Sequence, residues 1–209
     1  RRWGTRNGVY TAEEWGGFVE VWRQAQALNR LVMDALEQAG LPALAFPPSA
    51  SVIACNGQVE RWDLAPLRQA LEAGLLPVVY VDVVFDMARG GTIVSTEDLF
   101  ESLARQLRPN RLLLAGLEPG VWADFPACTH LLAEITPASM GQFEAILGGS
   151  VAVDVTGGMA SKVRQAMGLA QEIPGLRALI FSAETPGVLL RALLGEQVGT
   201  VIHDAQPQG

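Results

Sequence analysis

The nine residues from Asp154 to Lys162, Asp-Val-Thr-Gly-Gly-Met-Ala-Ser-Lys, carry the strongest signal of fold and function in the chain. They follow a short apolar run, Val151–Val153, which predicts a β-strand, and a predicted helix continues after them to about Glu172. Two glycines between a strand and a helix let backbone N–H groups approach an anion, and the positive end of the helix dipole favours it. The stretch therefore predicts a phosphate-binding loop at the start of a helix.

Lys162, the last residue of this stretch, leaves two interpretations open. Its spacing places it in or near the first turn of the helix, where the helix dipole disfavours a cation by a few tenths of a kcal/mol. A bound phosphate would explain a lysine at that position. An ordinary Gly-Gly turn followed by a solvated lysine explains the same spacing, so the residues alone do not decide.

The rest of the chain alternates between strand and helix patterns. A capping box of Thr11 and Glu14 and apolar residues at helical spacing predict a helix over residues 11–39, ended by Gly40. The β-branched run Leu76–Phe85 predicts one strand buried on both faces. Further strands are predicted at residues 92–94, 111–115, 176–181 and 199–202, and helices at 95–107 and 185–195. This alternation predicts an α/β fold, a three-layer α/β/α sandwich with a mainly parallel central sheet, in a single domain over residues 1–209.

Composition narrows the class of function. The chain has 49% apolar and 18% charged residues and a formal net charge of −7, which is typical of a well-packed globular protein. No stripe of basic residues predicts nucleic-acid binding, and no apolar stretch is long enough to predict a membrane span. Two cysteines in unrelated contexts, Cys55 and Cys128, are predicted to be reduced thiols of a cytoplasmic protein.

The segment Asp154–Lys162 resembles the signature of the isopentenyl phosphate kinases, within the amino-acid kinase superfamily. Supporting stretches follow in the matching order: Trp3–Gly8, Leu28–Leu36, Leu76–Val84, Pro186–Gly195 and Gly199–Ile202. The resemblance implies the amino-acid kinase fold and the Mg²⁺-dependent transfer of a phosphoryl group from ATP to isopentenyl phosphate. It also implies a homodimer, to which the helix over residues 11–39 is expected to contribute.

Other activities within and beyond this resemblance stay open. Gly-Gly-Met-x-x-Lys alone is also similar to a segment of the glutamate 5-kinases, and the fosfomycin kinases are relatives of the isopentenyl phosphate branch. A catalytically silent relative that binds a nucleotide or a small anion as a regulatory module is the alternative from a different class.

The resemblance assigns roles to particular residues. The residues expected to bind ATP are Thr156, Gly157, Gly158, Met159, Lys162 and Gly120. The expected catalytic group is Lys162, which would stabilise the leaving phosphate, with Asp154, which would fix the loop, and Glu97. The acceptor is expected to contact Thr96, Asp82 and Asn29. No metal-binding residue is predicted, although carboxylates beside bound phosphates would need an intervening cation, either Mg²⁺ or Lys162.

Two of these assignments have structural alternatives. Glu97 or Asp98 could orient the lysine and the metal, but Ser95-x-x-Asp98 is also an ordinary helix cap. Asn29 lies on the apolar stripe of the first predicted helix, where an amide is either satisfied by nearby backbone or turned towards a ligand.

The sequence also departs from the family pattern. An N-terminal Lys-x-Gly-Gly-Ser loop and a His-Gly-Gly-Gly loop are not among the 209 residues, and we expect an N-terminal segment that carries them to precede Arg1. Val81 replaces the glycine that usually precedes Asp82. Residues 117–122 replace an acidic nucleotide segment, and Trp122 there could stack on a base or pack in the core.

Overall fold

The computed structural model describes residues 4–148 and 157–204, and the chain divides into two compact units, Arg1–Ser102 (unit 1) and Leu103–Gly209 (unit 2). The helices are α1 (Ala12–Gln38), α2 (Ala65–Glu72), α3 (Thr96–Leu107), α4 (Pro137–Gly148), α5 (Gly157–Glu172) and α6 (Val188–Leu193). The strands are β1 (Ala43–Ala45), β2 (Val52–Cys55), β3 (Gln58–Trp62), β4 (Leu76–Val78), β5 (Asp82–Asp86), β6 (Gly90–Val94), β7 (Arg111–Gly116), β8 (Glu134–Ile135), β9 (Arg177–Ser182) and β10 (Thr200–His203). Single turns of 3-10 helix lie at Thr5–Asn7 and Pro48–Ala50.

The start and end of α1 are those that the sequence predicts. The Thr11 hydroxyl accepts the N–H of Glu14 at 3.3 Å, and the Glu14 carboxylate accepts the N–H of Thr11 at 2.8 Å. These bonds satisfy donors that have no partner within the helix. The N–H of Tyr10, which donates to the Glu14 carboxylate at 2.7 Å, and the N–H of Thr11 hold the pKa of Glu14 below its usual value. Gly40 follows the last turn with φ 72°, a left-handed conformation that suits glycine.

The apolar stripe of α1 is only partly buried. Phe18 is 7% exposed and forms a buried cluster with Val9 and Val83, whereas Val19 and Trp22 are 51% and 39% exposed. A helix of 27 residues is about 40 Å long, but the five-residue strand β5 that it covers spans only about 17 Å. The apolar stripe is therefore longer than the strand that α1 covers, and part of it stays exposed.

The apolar run Leu76–Phe85 forms two strands of different sheets instead of the one that its pattern predicts. β4 pairs in parallel with β1, while β5 pairs with β2 and β6. Pro77 of β4 has no N–H to donate to a strand ladder, and among the described residues β4 pairs with β1 alone. The four-stranded sheet of unit 1 has the order β3-β2-β5-β6. Its strand β5 begins at Asp82.

Asp86, at the other end of β5, is an anion built into the fold. It is 4% exposed, and its carboxylate accepts the backbone N–H groups of Asn56 (3.2 Å), Gly57 (2.7 Å), Ala88 (2.9 Å) and Arg89 (2.9 Å). Burial alone would raise the pKa of Asp86, but these four donors together hold it below its usual value. The hairpin between β2 and β3 is thereby tied to the end of β5.

Unit 2 is a three-layer α/β/α arrangement on a sheet of order β7-β9-β10-β8. Helices α4 and α5 cover one face through a cluster that contains Phe143, Val163, Met167, Ile180 and Ile202. Helix α6 covers the other face, where Ala192 packs with Leu179, Phe181, Val198 and Val201. Across the described residues, four strand pairs are parallel and three are antiparallel.

Most of the other predicted elements are present with small shifts. Helix α6 begins after Gly187, whose φ is 84°, so Thr185 and Pro186 precede the helix and do not form its first turn. The strand expected at Val151–Val153 lies outside the described residues. In residues 4–148 and 157–204, no helix is both long and apolar enough to cross a membrane.

Candidate functional site

Helix α5 begins at Gly157, so the described part of the predicted phosphate loop is its helical part. Asp154 and Thr156 lie outside the described residues. The first N–H groups of an α-helix have no acceptor within the helix. No hydrogen bond joins those of Gly157, Gly158 and Met159 to another residue that the structure describes. These donors, together with the positive end of the helix, are suited to an anion.

Gly158 has no packing reason to be a glycine. A Cβ atom built on it meets no atom within 4 Å, and its backbone is not in the left-handed region. The residue is exposed at the start of the helix. The space beside it is therefore open to a ligand that approaches the backbone closely. Gly168, three turns further along α5, has equally open space.

Lys162 is the sixth residue of α5, just beyond the first turn. The helix dipole acts mainly within the first turn, so the predicted penalty on this cation is smaller than expected. Lys162 is half-buried on the same face as Gly158, four residues earlier, and its side chain has no partner among the described residues. Of the 15 basic residues in the sequence, it is the one lysine, beside 14 arginines.

Two other residues of the predicted nucleotide site have roles in packing. Met159 is half-buried against the core of unit 2, which anchors the start of α5. Gly120 is buried, and a Cβ atom on it would lie 2.7 Å from Oγ1 of Thr200. The same oxygen accepts the N–H of Val121 at 2.8 Å, so the chain after β7 must be glycine at this point.

The segment that departs from the family pattern is held by its own side chains. The indole N–H of Trp122 donates to the Glu118 carboxylate at 3.0 Å. The Asp124 carboxylate accepts hydrogen bonds from the side chain and backbone of Thr129 and from the N–H of His130, and these donors hold its pKa well below its usual range. Stacking of Trp122 on a base stays a prediction.

The hydrogen bonds at the start of α3 distinguish Asp98 from Glu97, the two carboxylates between which the sequence does not decide. The Ser95 hydroxyl accepts the N–H of Asp98 at 3.2 Å and donates to its carboxylate at 2.6 Å, so Asp98 is part of a helix cap. Glu97 is half-buried, and its carboxylate has no partner within residues 4–148 and 157–204. Thr96 is the first helical residue and is also half-buried.

Asp82 is an almost completely buried carboxylate, with 1% of its surface exposed. It accepts the N–H of Ser49 at 3.1 Å and its oxygen lies 2.9 Å from the N–H of Val83. Burial raises the pKa of Asp82, and these hydrogen bonds oppose that rise only in part. The phenol of Tyr80 lies near it, and burial and the charge of Asp82 raise the pKa of Tyr80.

Asn29 supplies an unsatisfied acceptor in the same part of unit 1. It is 7% exposed, and its Oδ1 has no hydrogen-bond partner among the described residues. Gln26, one turn earlier on α1, donates to the Tyr80 hydroxyl at 2.5 Å. Asp82 pairs with Val94, two residues before Thr96. The three residues predicted to contact the acceptor therefore lie near the same end of the β5–β6 pair.

The sequence already singles out Glu97, Lys162 and Gly158, and the structure adds what surrounds each of them. That Lys162 is the one lysine of the sequence is a further signal that the printed residues alone supply. The orphaned oxygen of Asn29 and the open space beside Gly158 depend on packing and could not have been found from spacing. Among the residues that the structure describes, no group of three His, Cys, Asp or Glu side chains could hold a metal ion.

Comparison with known proteins identifies the family. The profile of the amino acid kinase family matches residues 5–182. The isopentenyl phosphate kinase of Methanothermobacter thermautotrophicus is 36% identical over 186 residues, which cover 87% of this chain and 68% of that protein. The isopentenyl phosphate kinase of Haloferax volcanii is 39% identical over 177 residues, covering 84% of this chain and 66% of the relative. The chain thus spans about two thirds of the length of these relatives.

The fold agrees with a solved structure of the same kind of enzyme. A crystal structure of isopentenyl phosphate kinase superposes with a TM-score of 0.77 at 29% identity, covering 96% of this chain and 77% of the other. The predicted α/β fold of the amino-acid kinases is confirmed by this likeness. The chain belongs to the amino acid kinase family and, within it, to the isopentenyl phosphate kinases.

Proposed function

We propose that this protein transfers the γ-phosphoryl group of ATP to the phosphate of isopentenyl phosphate, which yields isopentenyl diphosphate. The observation that carries the proposal is the start of α5, in a chain 36% identical to an isopentenyl phosphate kinase. Its first N–H groups, the open side of Gly158 and the side chain of Lys162 meet no partner among residues 4–148 and 157–204. Phosphoryl transfer asks the protein mainly to position two anions and to neutralise charge, and these are the groups that do so.

The nucleotide phosphates bind the start of α5. The N–H groups of Gly157, Gly158 and Met159 donate to phosphate oxygens, and the ammonium of Lys162 neutralises charge that develops on the leaving side of the transferred group. Thr156 and Asp154 shape and fix the preceding loop. Gly120 keeps the turn after β7 narrow, as its contact with Thr200 requires.

The acceptor binds residues of unit 1. The free carboxylate of Glu97 orients cationic groups, and the backbone at Thr96 contacts the acceptor. The Oδ1 atom of Asn29 accepts a hydrogen bond that no described residue supplies. Buried Asp82 holds the turn around Ser49 in place and sets the polarity beside the acceptor.

The proposed reaction would use Mg²⁺ together with ATP. Mg²⁺ commonly binds through substrate phosphates with only one or two carboxylates, and the half-buried, unpaired carboxylate of Glu97 is a donor of this kind. When bound, the ion neutralises the β- and γ-phosphate oxygens.

The test is a direct assay of the full-length protein with ATP, Mg²⁺ and isopentenyl phosphate, followed by ³¹P NMR. We expect the monophosphate signal to be replaced by two coupled signals of a diphosphate ester. Glutamate and fosfomycin are offered in parallel reactions. Turnover of either of these without turnover of isopentenyl phosphate would overturn the proposed acceptor, and absence of ATP consumption with every acceptor would overturn the proposed reaction.

The assembly proposed with this function is a cytoplasmic homodimer that uses α1. Several apolar side chains of α1 are exposed, and Leu28 and Leu31, at 66% and 67%, are the most exposed of them. Sedimentation of wild type and of Leu31→Glu tests this interface. A dimer that Leu31→Glu converts to a monomer supports it, whereas a wild-type monomer, or a dimer unchanged by the substitution, contradicts it.

A further inference from the structure

A small cavity in unit 2 lies on the face of the sheet that α6 covers. Its volume is about 180 Å³, smaller than the roughly 300–1,000 Å³ of a typical small-molecule pocket. Leu179 of β9 and Val201 of β10 form its apolar floor, and Ala192, Gly195 and Gln197 form the wall at the end of α6. The cavity therefore suits a small ligand with a short apolar part.

Two arginines stand side by side at this cavity. Arg111 and Arg177 are the first residues of β7 and β9, and they are direct partners in the parallel register. Neighbouring strands are about 4.8 Å apart, so the two side chains leave the same face of the sheet next to each other. Both residues line the cavity. Like charges at this spacing repel each other, and an anion between them would relieve that repulsion.

The two guanidinium groups differ in what they bind. Arg111 donates to the carbonyl oxygens of Ala192 (2.5 Å) and Leu193 (3.3 Å), which holds it against the C-terminal end of α6. The guanidinium of Arg177 has no partner among residues 4–148 and 157–204. The guanidinium of Arg111 is therefore fixed in place, and that of Arg177 is available to bind a ligand.

The acidic residue at the cavity does not neutralise these arginines. Glu196 lines the wall, but its carboxylate accepts a hydrogen bond from Arg191 at 2.7 Å. With Glu196 paired in this way, the cavity keeps the charges of Arg111 and Arg177. Planar guanidinium groups match phosphate oxygens with two parallel hydrogen bonds, which makes an adjacent pair of them suited to a phosphate group.

This cavity is separate from the start of α5. Only four residues connect Glu172, the end of α5, with Arg177, so the arginine pair lies at the edge of the sheet where α5 ends. Lys162 is about 15 Å further along the helix axis from Glu172. In addition, α5 packs on the face of the sheet that carries Ile180, whereas the cavity opens on the face that carries Leu179. One phosphate could not contact both places.

We propose that this cavity is a second anion site, which binds a small phosphate ester with a short apolar group away from the transferring phosphates. Arg177 and Arg111 bind the phosphate, and Leu179 and Val201 contact the apolar group. None of these residues belongs to the proposed acceptor site, so the proposal does not depend on which acceptor the enzyme phosphorylates.

The experiment is an NMR titration of the full-length protein with n-butyl phosphate, read at the resonances of Leu179, Val201 and Gln197. Resonances at the start of α5, read in the same spectra, report the other phosphate site separately. Arg177→Gln removes the available guanidinium and keeps a polar side chain. Arg61→Gln, an exposed arginine of β3 in unit 1 with no partner among the described residues, is the matched control for the loss of one charge.

We expect saturable shifts at Leu179 and Val201 and an apparent Kd that rises roughly tenfold or more in Arg177→Gln, as the loss of a charge-assisted hydrogen bond implies. The Arg61→Gln control should titrate like wild type. Inorganic phosphate should shift the same resonances with a higher apparent Kd, because it makes no contact with the apolar floor. The proposal fails if these resonances do not saturate, or if Arg177→Gln and Arg61→Gln titrate alike.

Discussion

The start of α5 and the turn at Asp86 both gather backbone N–H groups around one point, but they differ in what occupies that point. At Asp86, four backbone donors converge on a carboxylate that belongs to the chain. At the start of α5, the donors of Gly157, Gly158 and Met159 meet no described residue, and the nearest charge on the same face is the cation of Lys162. The first arrangement is complete without a ligand, and the second is not.

This difference separates structural anion binding from functional anion binding in one chain. Backbone donors that already hold a carboxylate stabilise the fold, and removing the carboxylate leaves buried donors unpaired. Backbone donors that bind only a ligand add little to stability. Replacing the side chains beside them lowers activity. Substitutions at the start of α5 should therefore lower turnover with little effect on stability. A substitution of Asp86 should lower stability with little effect on turnover.

Lys162→Ala should have the largest effect on activity. Loss of one preorganised group that stabilises the transferring charge lowers turnover by roughly 10²- to 10³-fold. The free energy of unfolding should change by less than about 0.5 kcal/mol, because the side chain has no described partner. Steady-state kinetics and urea unfolding measure the two quantities, with Arg61→Ala as the control for charge. Turnover within threefold of wild type would remove Lys162 from the mechanism.

Asp86→Asn should have the largest effect on stability. The amide replaces one acceptor oxygen with a donor that faces backbone N–H groups, which lowers the free energy of unfolding by about 2 kcal/mol. Turnover of the folded fraction should be unchanged. Asp63→Asn is the control, since the exposed Asp63 carboxylate accepts only the N–H of Ala65, at 2.9 Å. Equal losses in the two variants would contradict the role of the Asp86 turn.

The pH dependence of the Asp86 contribution follows from the direction of its pKa shift. Its pKa is lower in the folded protein than the unfolded value of 3.8, so the stabilisation is present above pH 3.8 and is lost as the pH falls through the folded pKa. The difference in the free energy of unfolding between wild type and Asp86→Asn should therefore be largest at pH 7 and should decrease in acid. A difference that grows below pH 4 would contradict this assignment.

Asp82→Asn should give a smaller effect on stability with the opposite sign. The pKa of Asp82 is raised by burial above the unfolded 3.8, so its favourable contribution exists at low pH and is lost as the pH rises through the folded pKa. At pH 7 the neutral amide should leave stability equal or raise it by up to about 1 kcal/mol, while turnover falls. Thermal unfolding at pH 5 and pH 7 measures this, and a variant that is clearly less stable at pH 7 would contradict it.

The sequence predicts the elements whose signals are local. The capping box of Thr11 and Glu14, the glycine after α1, and the alternation of strands and helices in unit 2 are all found. The hairpin at Asn56-Gly57 was missed although Asn-Gly is a strong turn signal, and both residues have positive φ. The split of Leu76–Phe85 depends on which strands pair with each half, and this is set by tertiary packing that no local pattern encodes.

The candidate site was predictable only in part, for the same reason. Residue type and order single out the Gly-Gly-Met-x-x-Lys segment, and the family resemblance extends this to Thr96, Asp82 and Asn29. Whether a given group is already satisfied is a property of the packed structure. Asp98 and Glu97 are adjacent acids, yet one caps α3 and the other has no described partner. Only the structure separates them.

The most direct test of the account compares Gly158→Ala with Gly168→Ala for ATP affinity, measured by calorimetry on the full-length protein. Both glycines lie in α5, and an added Cβ meets no described atom within 4 Å at either one, so neither substitution should destabilise the helix. The mid-helix Gly168→Ala should raise stability by about 0.5–1 kcal/mol, and Gly158→Ala, in the first turn, by less. If the start of α5 receives the nucleotide phosphates, Gly158→Ala weakens ATP binding about tenfold or more and Gly168→Ala leaves it unchanged. Equal ATP affinity in the two variants would contradict the account.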